Sequence, residues 1–345
     1  MNIREIARRA RVSHSTVSRV INQVETLDPK MARRVHEVIQ EVGFVPNFQA
    51  RALARGRTRT VGLIVSELTG GNPFFSEIIL YFERAAVEQG YEVLVSFADT
   101  ETRRDHVAAC AARMQEGQVE GLAVLTFGME EQLANVQARV PMVYAGADHA
   151  LRDIRNIRVN YLTGFREAIR HLMEFGHERI GYLSGGLAWS SMKTRFESLR
   201  KAMKLLDFPF DKDLVAECEH TFDGGAEGMA FLLNLPKPPT AVLCCNDVAA
   251  VGAIKTLTSR GLQAGRDIAL IGFDDLPLCR FTQPALTTIE FSPREIARQA
   301  FHALVEEIEG ASKKTNFEYK TRFVLRESTC APALQAAPNV HSGVV

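Results

Sequence analysis

Long apolar runs are missing from this chain of 345 residues. No stretch of about 18 consecutive apolar residues occurs, which is the length that a membrane-spanning helix needs. The first residues, Met1 to Glu5, pass directly into an amphipathic pattern without the apolar segment of a signal peptide. We therefore expect a cytoplasmic protein with no membrane partner.

Cysteine is scarce and has no metal-binding or redox spacing. None of the six cysteines belongs to a C-x-x-C pair, and neighbouring cysteines such as Cys244 and Cys245 seldom form a structural bridge. We interpret the cysteines as reduced thiols in the protein core: Cys110, Cys218, Cys244, Cys245, Cys279 and Cys330.

Enzyme signatures are also absent. The run Gly181 to Gly185 resembles the turn that presents a nucleophilic serine, but it lacks the G-x-S-x-G spacing. No glycine-rich phosphate loop follows a predicted strand. His171 and His177 are six residues apart, a spacing that does not place two metal ligands on one helix face. We predict that the protein is not an enzyme and that it holds no metal ion and no cofactor.

The net charge is zero, but the charges are unevenly distributed. Residues 1–60 contain 12 Lys and Arg against 5 Asp and Glu, a formal charge of +7; because the whole chain has 41 of each, the remainder carries −7. The length and the 46% apolar content suit two or three domains with ample cores. A basic N-terminal segment on an acidic body indicates a polyanionic partner that contacts only that segment.

The first 21 residues have the pattern of two short helices joined by a tight turn. Ile3, Ile6, Ala7 and Ala10 recur at helical period, and Ser13 is placed to cap the second helix. Two such helices are typical of a helix-turn-helix. The buried side of the second helix is predicted to comprise Val17, Val20 and Ile21.

Small polar and basic residues occupy the exposed side of the second helix. Arg19 can donate two hydrogen bonds to guanine O6 and N7, whereas Thr16 and Ser18 are better suited to phosphates. The helix pattern alone also fits a small helical domain with a solvated basic face. The predicted DNA contacts of this segment are Ser13, His14, Ser15, Thr16, Ser18, Arg19 and Asn22.

A third helix completes the head, which we place at residues 1–46. Asp28 is its predicted cap, Pro29 takes its first position, and Gly43 ends it. The predicted buried stripe comprises Met31, Val35, Val38, Ile39 and Val42.

A short segment whose folding is expected to depend on a partner follows the head at residues 47–59. Asn47 can cap a helix and Gly56 can stop it. Roughly nine residues are too few for a helix that is stable alone in water. We therefore predict a hinge helix that orders only when something holds it.

The run Val12 to Asn22, the pair Pro46-Asn47 and the run Ala50 to Leu53 resemble the head and hinge of the LacI/GalR family of bacterial repressors, and the resemblance extends through most of the chain. It implies that two hinge helices of a dimer form on DNA and wedge Leu53 into a base step of the minor groove. Ordinary packing of Leu53 in a linker is the alternative. The predicted hinge contacts are Asn47, Ala50, Arg51 and Leu53.

One residue departs from the family pattern. The family usually has glycine in the helix-turn-helix turn, where this chain has Arg11. Glycine adopts a left-handed backbone at little cost, so Arg11 is expected to cost about 1 kcal/mol unless it gains a phosphate contact.

From residue 60 to 330, apolar runs alternate with amphipathic helices. This alternation predicts buried parallel strands and two βαβ lobes. The resemblance implies a two-lobed body like periplasmic binding proteins, with the chain recrossing between lobes near residues 286–309. Residues 331–345 are rich in Ala and Pro without heptads, so we expect a loose tail. The predicted strands are 61–65, 92–97, 121–125, 141–144, 179–183, 214–218, 240–244, 268–271 and 286–289, and the predicted helices include 74–89, 103–116 and 129–138.

Ligands of parallel sheets bind at the carboxyl ends of the strands, so the cleft between the lobes is the expected site. Aromatic faces together with Asn, Asp and Arg side chains are suited to a sugar. The resemblance places effector contacts at Arg195, Asn246 and Asp274; Asn246 and Asp274 can instead be helix caps. The predicted ligand contacts are Asn72, Phe75, Trp189, Arg195, Phe222, Asn246 and Asp274.

Together these features predict an α/β protein with a three-helix DNA-binding head, a hinge helix and a two-lobed body. The predicted function is a homodimeric transcriptional regulator, a repressor, that binds a pseudo-palindromic double-stranded operator under the control of a small carbohydrate-like effector. A sugar-binding transport protein would share the body but lack the basic head. An α/β enzyme acting on sugars would need a nucleophile or an acid/base pair in the cleft.

Overall fold

The computed structural model describes residues 3–21, 28–44, 57–66, 73–98, 105–116, 119–126, 130–133, 136–146, 151, 154–187, 190–311 and 317–330. The chain forms two compact units, residues 1–59 and residues 60–345. The predictions for Asn22, Asn47, Ala50, Arg51, Leu53, Asn72, Trp189 and the tail lie outside the described residues.

Three helices form the head: α1 (Ile3–Ala10), α2 (His14–Ile21) and α3 (Pro29–Glu41). The Ser13 hydroxyl accepts a hydrogen bond from the Thr16 amide at 3.0 Å, and Asp28 accepts one from the Lys30 amide at 2.8 Å. Both predicted caps are confirmed. The fully buried core of the head comprises Ile6, Ala7, Ala10, Val17, Val20 and Val35.

The predicted stripe of α3 was wrong at Met31. This side chain is 41% exposed, and Ala32 packs against the core instead. Helical period allows either residue to lie above Val35, because positions three and four residues apart share a face. The smaller side chain takes the position that faces α1 and α2.

Arg11 adopts the left-handed backbone that the family pattern predicts, with φ of +49°. It follows the last residue of α1, and the Val12 amide donates back to the Ala7 carbonyl at 3.0 Å. A backbone hydrogen bond of this kind, beside a left-handed residue, closes a type of helix end that favours glycine. The Arg34 guanidinium also donates to the Ala10 carbonyl, so the orphan carbonyls at this end are satisfied.

The second unit contains two six-stranded sheets. The first has the order β11-β5-β4-β3-β1-β2, and its paired strands are parallel. Strands β1, β3 and β4 read as continuous apolar runs because helices cover both faces of such a sheet. Its strands are β1 (Thr60–Ser66), β2 (Glu92–Ala98), β3 (Gly121–Leu125), β4 (Met142–Gly146), β5 (Arg155–Asn160) and β11 (Phe317–Lys320).

The second sheet has the order β12-β10-β9-β8-β6-β7, and only its β10–β12 pair is antiparallel among the described strands. Strand β7 lies at one edge of this sheet. Its strands are β6 (Ile180–Leu183), β7 (Val215–Ala216), β8 (Ala241–Cys244), β9 (Ala269–Asp274), β10 (Thr287–Glu290) and β12 (Arg322–Val324).

Helices cover the faces of both sheets. Around the first sheet and at its crossovers these are α4 (Phe74–Glu88), α5 (His106–Met114), α6 (Glu130–Leu133) and α11 (Pro293–Ile308). Four helices pack on the second sheet: α7 (Tyr161–Glu174), α8 (Ser190–Leu205), α9 (Phe222–Leu233) and α10 (Asp247–Ser259). One apolar core extends from the first sheet into the second.

The chain crosses between the two lobes three times: from β5 to α7, from β10 to α11, and from β11 to β12. The predicted recrossing near residues 286–309 is confirmed, since β10 belongs to the second sheet and α11 packs against α4 of the first lobe. A hydrogen-bonded residue links the β11 to β12 crossover to the β5 to α7 crossover. The Thr321 hydroxyl donates to the Asn160 carbonyl at 2.9 Å and accepts from the Gly164 amide at 3.1 Å.

Several predicted elements differ in extent. The helix expected at 129–138 is assigned only over Glu130–Leu133, and the strand expected from residue 214 begins at Val215 after a 3-10 helix, Lys212–Leu214. Three strands were not predicted: β5, β11 and β12. All six thiols are free, but Cys218 and Cys330 are only partly buried. No helix in the described part of the chain is long and apolar enough to cross a membrane.

Candidate functional site

The exposed face of α2 is the candidate DNA-reading surface. Ser13, His14, Ser15 and Arg19 are exposed, whereas Thr16 and Ser18 are partly buried. The Ser13 hydroxyl already serves the helix, since it also lies 2.7 Å from the Ser15 hydroxyl and 2.8 Å from that of Thr16. The six side chains thus lie along one end and one side of a single short helix that is packed on α1 and α3.

A buried polar cluster forms the second candidate site, at the carboxyl ends of β8 and β9. Arg195 projects into it from α8 and donates to the Cys245 carbonyl at 2.6 Å and to the Asp274 carboxylate at 3.0 Å. Only 6% of the Arg195 side chain and 2% of the Asp274 side chain are exposed. The structure therefore brings Arg195 and Asp274 together beside Cys245, the residue before Asn246. Ligand-binding residues are expected at the carboxyl ends of parallel strands, and this cluster lies there.

Aromatic rings surround the guanidinium of Arg195. Its central carbon lies 4.1 Å from the ring centroid of Phe273, 5.5 Å from that of Tyr161 and 5.7 Å from that of Phe291. Burial disfavours the charge, but the Asp274 carboxylate beside it keeps the pKa of Arg195 above its ordinary value. Burial in turn raises the pKa of Asp274, against the opposing effect of Arg195. Positive charge is thus held permanently beside flat apolar faces.

Asn246 combines a capping role with its position in the cluster. Its side-chain oxygen accepts from the Ala249 amide at 2.7 Å, which caps α10, and its amide group donates to the His220 carbonyl at 2.8 Å. Asp274 is not a helix cap: it ends β9 with φ of +115°, and the 3-10 helix that follows begins after Leu276. The capping interpretation is therefore right for Asn246 and wrong for Asp274.

Asp247 is a further member of this cluster, although it is not among the predicted ligand contacts. It is fully buried, and its two carboxylate oxygens accept from the Leu276 amide at 2.8 Å and from the Thr288 hydroxyl at 2.6 Å. A Cβ atom at Gly272 would lie 2.2 Å from this carboxylate, so glycine is required there. Burial, and then the neighbouring Asp274, raise the pKa of Asp247. The signal in the sequence was an acid that directly follows the strand end at Cys244–Asn246.

The other predicted ligand contacts that the structure describes lie around this cluster rather than in it. Phe75 is partly buried and its ring lies 5.5 Å from that of Phe74, which stacks at 5.0 Å on Phe291 beside Arg195. Phe222 is the first residue of α9 and is 40% exposed. Among the described residues no group of three or more His, Cys, Asp and Glu side chains is arranged to hold a metal ion.

A basic helix-turn-helix head, joined in one chain to a two-sheet α/β body, defines a DNA-binding regulator. Comparison with known families agrees with this class. The model of the lacI family of bacterial regulatory proteins matches residues 2–47, and that of the periplasmic binding protein-like domain matches residues 169–329.

Similar proteins extend the comparison over most of the chain. The transcriptional repressor PurR of Haemophilus influenzae is 33% identical over 336 residues, which are 94% of this chain and 98% of that protein. The repressor CytR of Escherichia coli is 31% identical over 310 residues, 89% of this chain and 90% of that protein. This chain belongs to the LacI family of bacterial regulatory proteins.

Solved structures show the same architecture. The Lac repressor dimer bound to its operator and the anti-inducer ONPF matches with a TM-score of 0.86 and 26% identity, over 96% of this chain and 99% of that one. The complex of the regulator CelR with cellobiose matches with a TM-score of 0.69 and 26% identity, over 95% and 99%. The predicted fold class and family are confirmed, and the chain is a DNA-binding regulator rather than a transport protein or an enzyme.

Proposed function

We propose that this protein is a repressor that binds a pseudo-palindromic operator as a homodimer, and that a small carbohydrate-like effector in the interlobe cleft controls this binding. In this proposal residues 1–46 read DNA, residues 47–59 link the head to the body, and residues 60–330 bind the effector and the second subunit. The observation that most directly supports an effector site is the buried cluster of Arg195 and Asp274 at the strand ends.

Polar atoms without partners support a ligand at this cluster. The Arg195 Nε atom, the Ser184 hydroxyl and the Tyr182 hydroxyl are buried and accept or donate no hydrogen bond within the described chain. Leaving buried polar groups unpaired costs about 1–3 kcal/mol each. A ligand rich in hydroxyl groups is able to satisfy such atoms, while the rings of Phe273 and Phe291 suit its C–H faces.

The position of the cluster suggests how the effector acts. Arg195 belongs to α8 of the second lobe, but two of the three rings around it, Tyr161 and Phe291, come from residues beside two of the three crossovers. A ligand held there has different contacts in different lobe arrangements. Such differential binding is what shifts a conformational equilibrium, and through the link to the head it changes operator affinity.

A titration tests the effector half of the proposal. Operator duplex, selected from a random library with the full-length protein, is labelled and its affinity is measured by fluorescence anisotropy with sugars, sugar phosphates and nucleobases. We expect one sugar-like compound to change the affinity by roughly 5- to 150-fold, the usual range of allosteric coupling. Arg195→Lys should abolish that response because lysine cannot make both hydrogen bonds, whereas Arg155→Lys in the first lobe should retain it. If no compound changes operator affinity, the effector half is wrong.

Base reading by Arg19 has its own test. Arg19→Ala should relax specificity at one base of each half-site and cost about 1–3 kcal/mol on the preferred sequence. Affinities for duplexes with each base at that position measure this directly. An equal loss on every sequence would instead assign Arg19 to the phosphate backbone. The remaining predicted contacts, on α2 and at residues 47–53, are proposals to be examined in the same assay.

Exposed apolar residues on the first lobe support a homodimer. Leu80 and Val87 lie seven residues apart on one face of α4, and Leu94 and Phe97 lie on the edge strand β2; all four are exposed. Exposed apolar side chains that recur on one helix face and along an edge strand are features of interaction surfaces. Leu80→Glu should shift the protein toward monomer in sedimentation equilibrium, whereas Phe231→Glu on α9 should not. A dimer that is equally stable in both variants would exclude this face.

A further inference from the structure

A groove of about 660 Å³ lies on the second lobe, outside the polar cluster of Arg195 and Asp274. Helix α8 forms one wall, and the segment from the 3-10 helix Lys212–Leu214 to the edge strand β7 forms the other. This volume is within the range of small-molecule sites, which measure roughly 300–1,000 Å³. The regulator proposed above does not use it.

Aromatic rings line the groove in a connected series. The ring of Phe196 stacks on buried Tyr182 with centroids 5.6 Å apart and planes at 14°, and meets Phe210 edge-on at 5.9 Å. Phe210 is 37% exposed, and Val215 of β7 adds a further apolar surface. The groove therefore offers a flat apolar ligand both aromatic rings to stack on and the apolar side chain of Val215 to pack against.

Two cationic side chains line the groove. The Arg200 guanidinium lies 5.1 Å from the ring centroid of Phe210 and 6.0 Å from that of Phe196. Neither Arg200 nor Lys212 forms an ion pair within the part of the chain that the structure describes. Among the described residues of the lining, Glu217, which directly follows β7, is the one acidic residue. The described lining thus carries an excess of one positive charge.

We propose that this groove is a second small-molecule site, which binds a flat aromatic carboxylate. The ring of the ligand packs among Phe196, Phe210 and Val215, and its carboxylate accepts hydrogen bonds from Arg200, whose guanidinium is already oriented by the rings. Lys212 adds charge attraction, and Glu217 accepts a hydrogen bond from a hydroxyl group at the opposite end of the ligand.

The groove shares α8 with the polar cluster. Phe196 enters the groove and the preceding residue, Arg195, enters the cluster. A ligand that fixes Phe196 therefore restrains the helix that carries Arg195. The two sites nevertheless have separate linings, so each can be tested without the other.

The test uses full-length protein and 6-hydroxy-2-naphthoate, a fluorescent two-ring carboxylate. We expect saturable binding by fluorescence titration, with protection of residues 208–217 in hydrogen exchange. Arg200→Gln should weaken binding about tenfold, because a charge-assisted hydrogen bond to the carboxylate is lost. Lys201→Gln is the matched control: it removes the same charge from the next residue of α8, which is exposed and outside the groove, and should change the affinity less than twofold.

A second variant keeps the test decisive. Leu187 also lines the groove, and Leu187→Glu adds a negative charge to a lining that otherwise attracts an anion, so binding should weaken while the melting temperature is maintained. Binding without saturation, equal losses in Arg200→Gln and Lys201→Gln, or protection around Arg195 instead of residues 208–217 would each overturn the proposal.

Discussion

The two lobes of the body share a sheet architecture but differ in what they bury. Among the described residues, every buried arginine and carboxylate belongs to the second lobe: Arg195, Asp247 and Asp274. Buried polar side chains of the first lobe instead hold loops. Gln115 accepts from the Arg139 amide at 2.5 Å, and Asn156 both accepts from and donates to Leu151.

The difference has a physical cost that only one lobe bears. Removing a charge from water is unfavourable unless a partner and hydrogen bonds compensate it. The second lobe bears this cost at its strand ends, where the ligand is proposed to bind, and the first lobe avoids it. Buried charge therefore distinguishes the lobe that carries the proposed ligand site from the other lobe, which the shared sheet architecture does not.

The largest expected effect is the loss of the Arg195 charge. Arg195→Leu leaves the Asp274 carboxylate buried without a partner, so the free energy of unfolding should fall by about 3–5 kcal/mol. The first-lobe pair of Arg155 and Glu306 is 2.5 Å long, but 53% of the Glu306 side chain is exposed. Arg155→Leu should therefore cost only about 1 kcal/mol. Urea denaturation of both variants measures the contrast.

A second substitution identifies the cause. Asp274→Asn added to Arg195→Leu removes the unpaired charge and should restore part of the lost stability. Asparagine also tolerates the positive φ of this position. Equal costs for Arg195→Leu and Arg155→Leu, or no recovery in the double variant, would contradict the distinction between the lobes.

Glycine packing provides a smaller contrast. In the second lobe α9 and α10 approach so closely that a Cβ atom at Gly252 would lie 1.9 Å from the Phe222 carbonyl oxygen. At Gly62 of β1 the nearest atom is the end of the Leu122 side chain, at 2.7 Å. Backbone cannot move aside as a side chain can, so Gly252→Ala should destabilise by about 1–3 kcal/mol. Gly62→Ala should cost less, and thermal melts that rank them in the opposite order would refute this reasoning.

The head could be predicted from sequence in detail because its signals are local. Ser13 caps a helix through an amide three residues away, and Asp28 caps through one two residues away. Arg11 was expected to be left-handed from its place in a family turn, and its φ of +49° agrees. The predicted burial of Met31 was wrong because helical period alone does not decide whether Met31 or its neighbour Ala32 faces the core.

The buried cluster could be predicted only in part. Strand ends located Arg195, Asn246 and Asp274, since that rule needs only the strand order along the chain. Asp247 follows the same strand end as Asn246, but its buried contacts could not be predicted because its partners, Leu276 and Thr288, lie 29 and 41 residues further along the chain. Strand β11 was missed for the same reason: it pairs with β5 across some 160 residues, and no local pattern encodes that contact.

A further expected effect concerns pH and the buried carboxyl of Asp247. Burial raises its pKa from an ordinary value near 4 to about 8. Between these values the folded protein keeps a proton that the unfolded chain releases, so this stabilising contribution is complete below pH 4 and is lost as the pH rises through 8. Asp247→Asn removes the titration, and asparagine can still accept from the Leu276 amide and donate to the Thr288 hydroxyl. The urea midpoint of the variant should therefore fall less between pH 5.5 and pH 8.5 than that of the natural protein. Glu197→Gln, an exposed change on α8, should leave the fall unaltered. If Asp247→Asn has the same pH dependence as the natural protein, Asp247 is ionised throughout this range and the second lobe buries one more charge than its partners compensate.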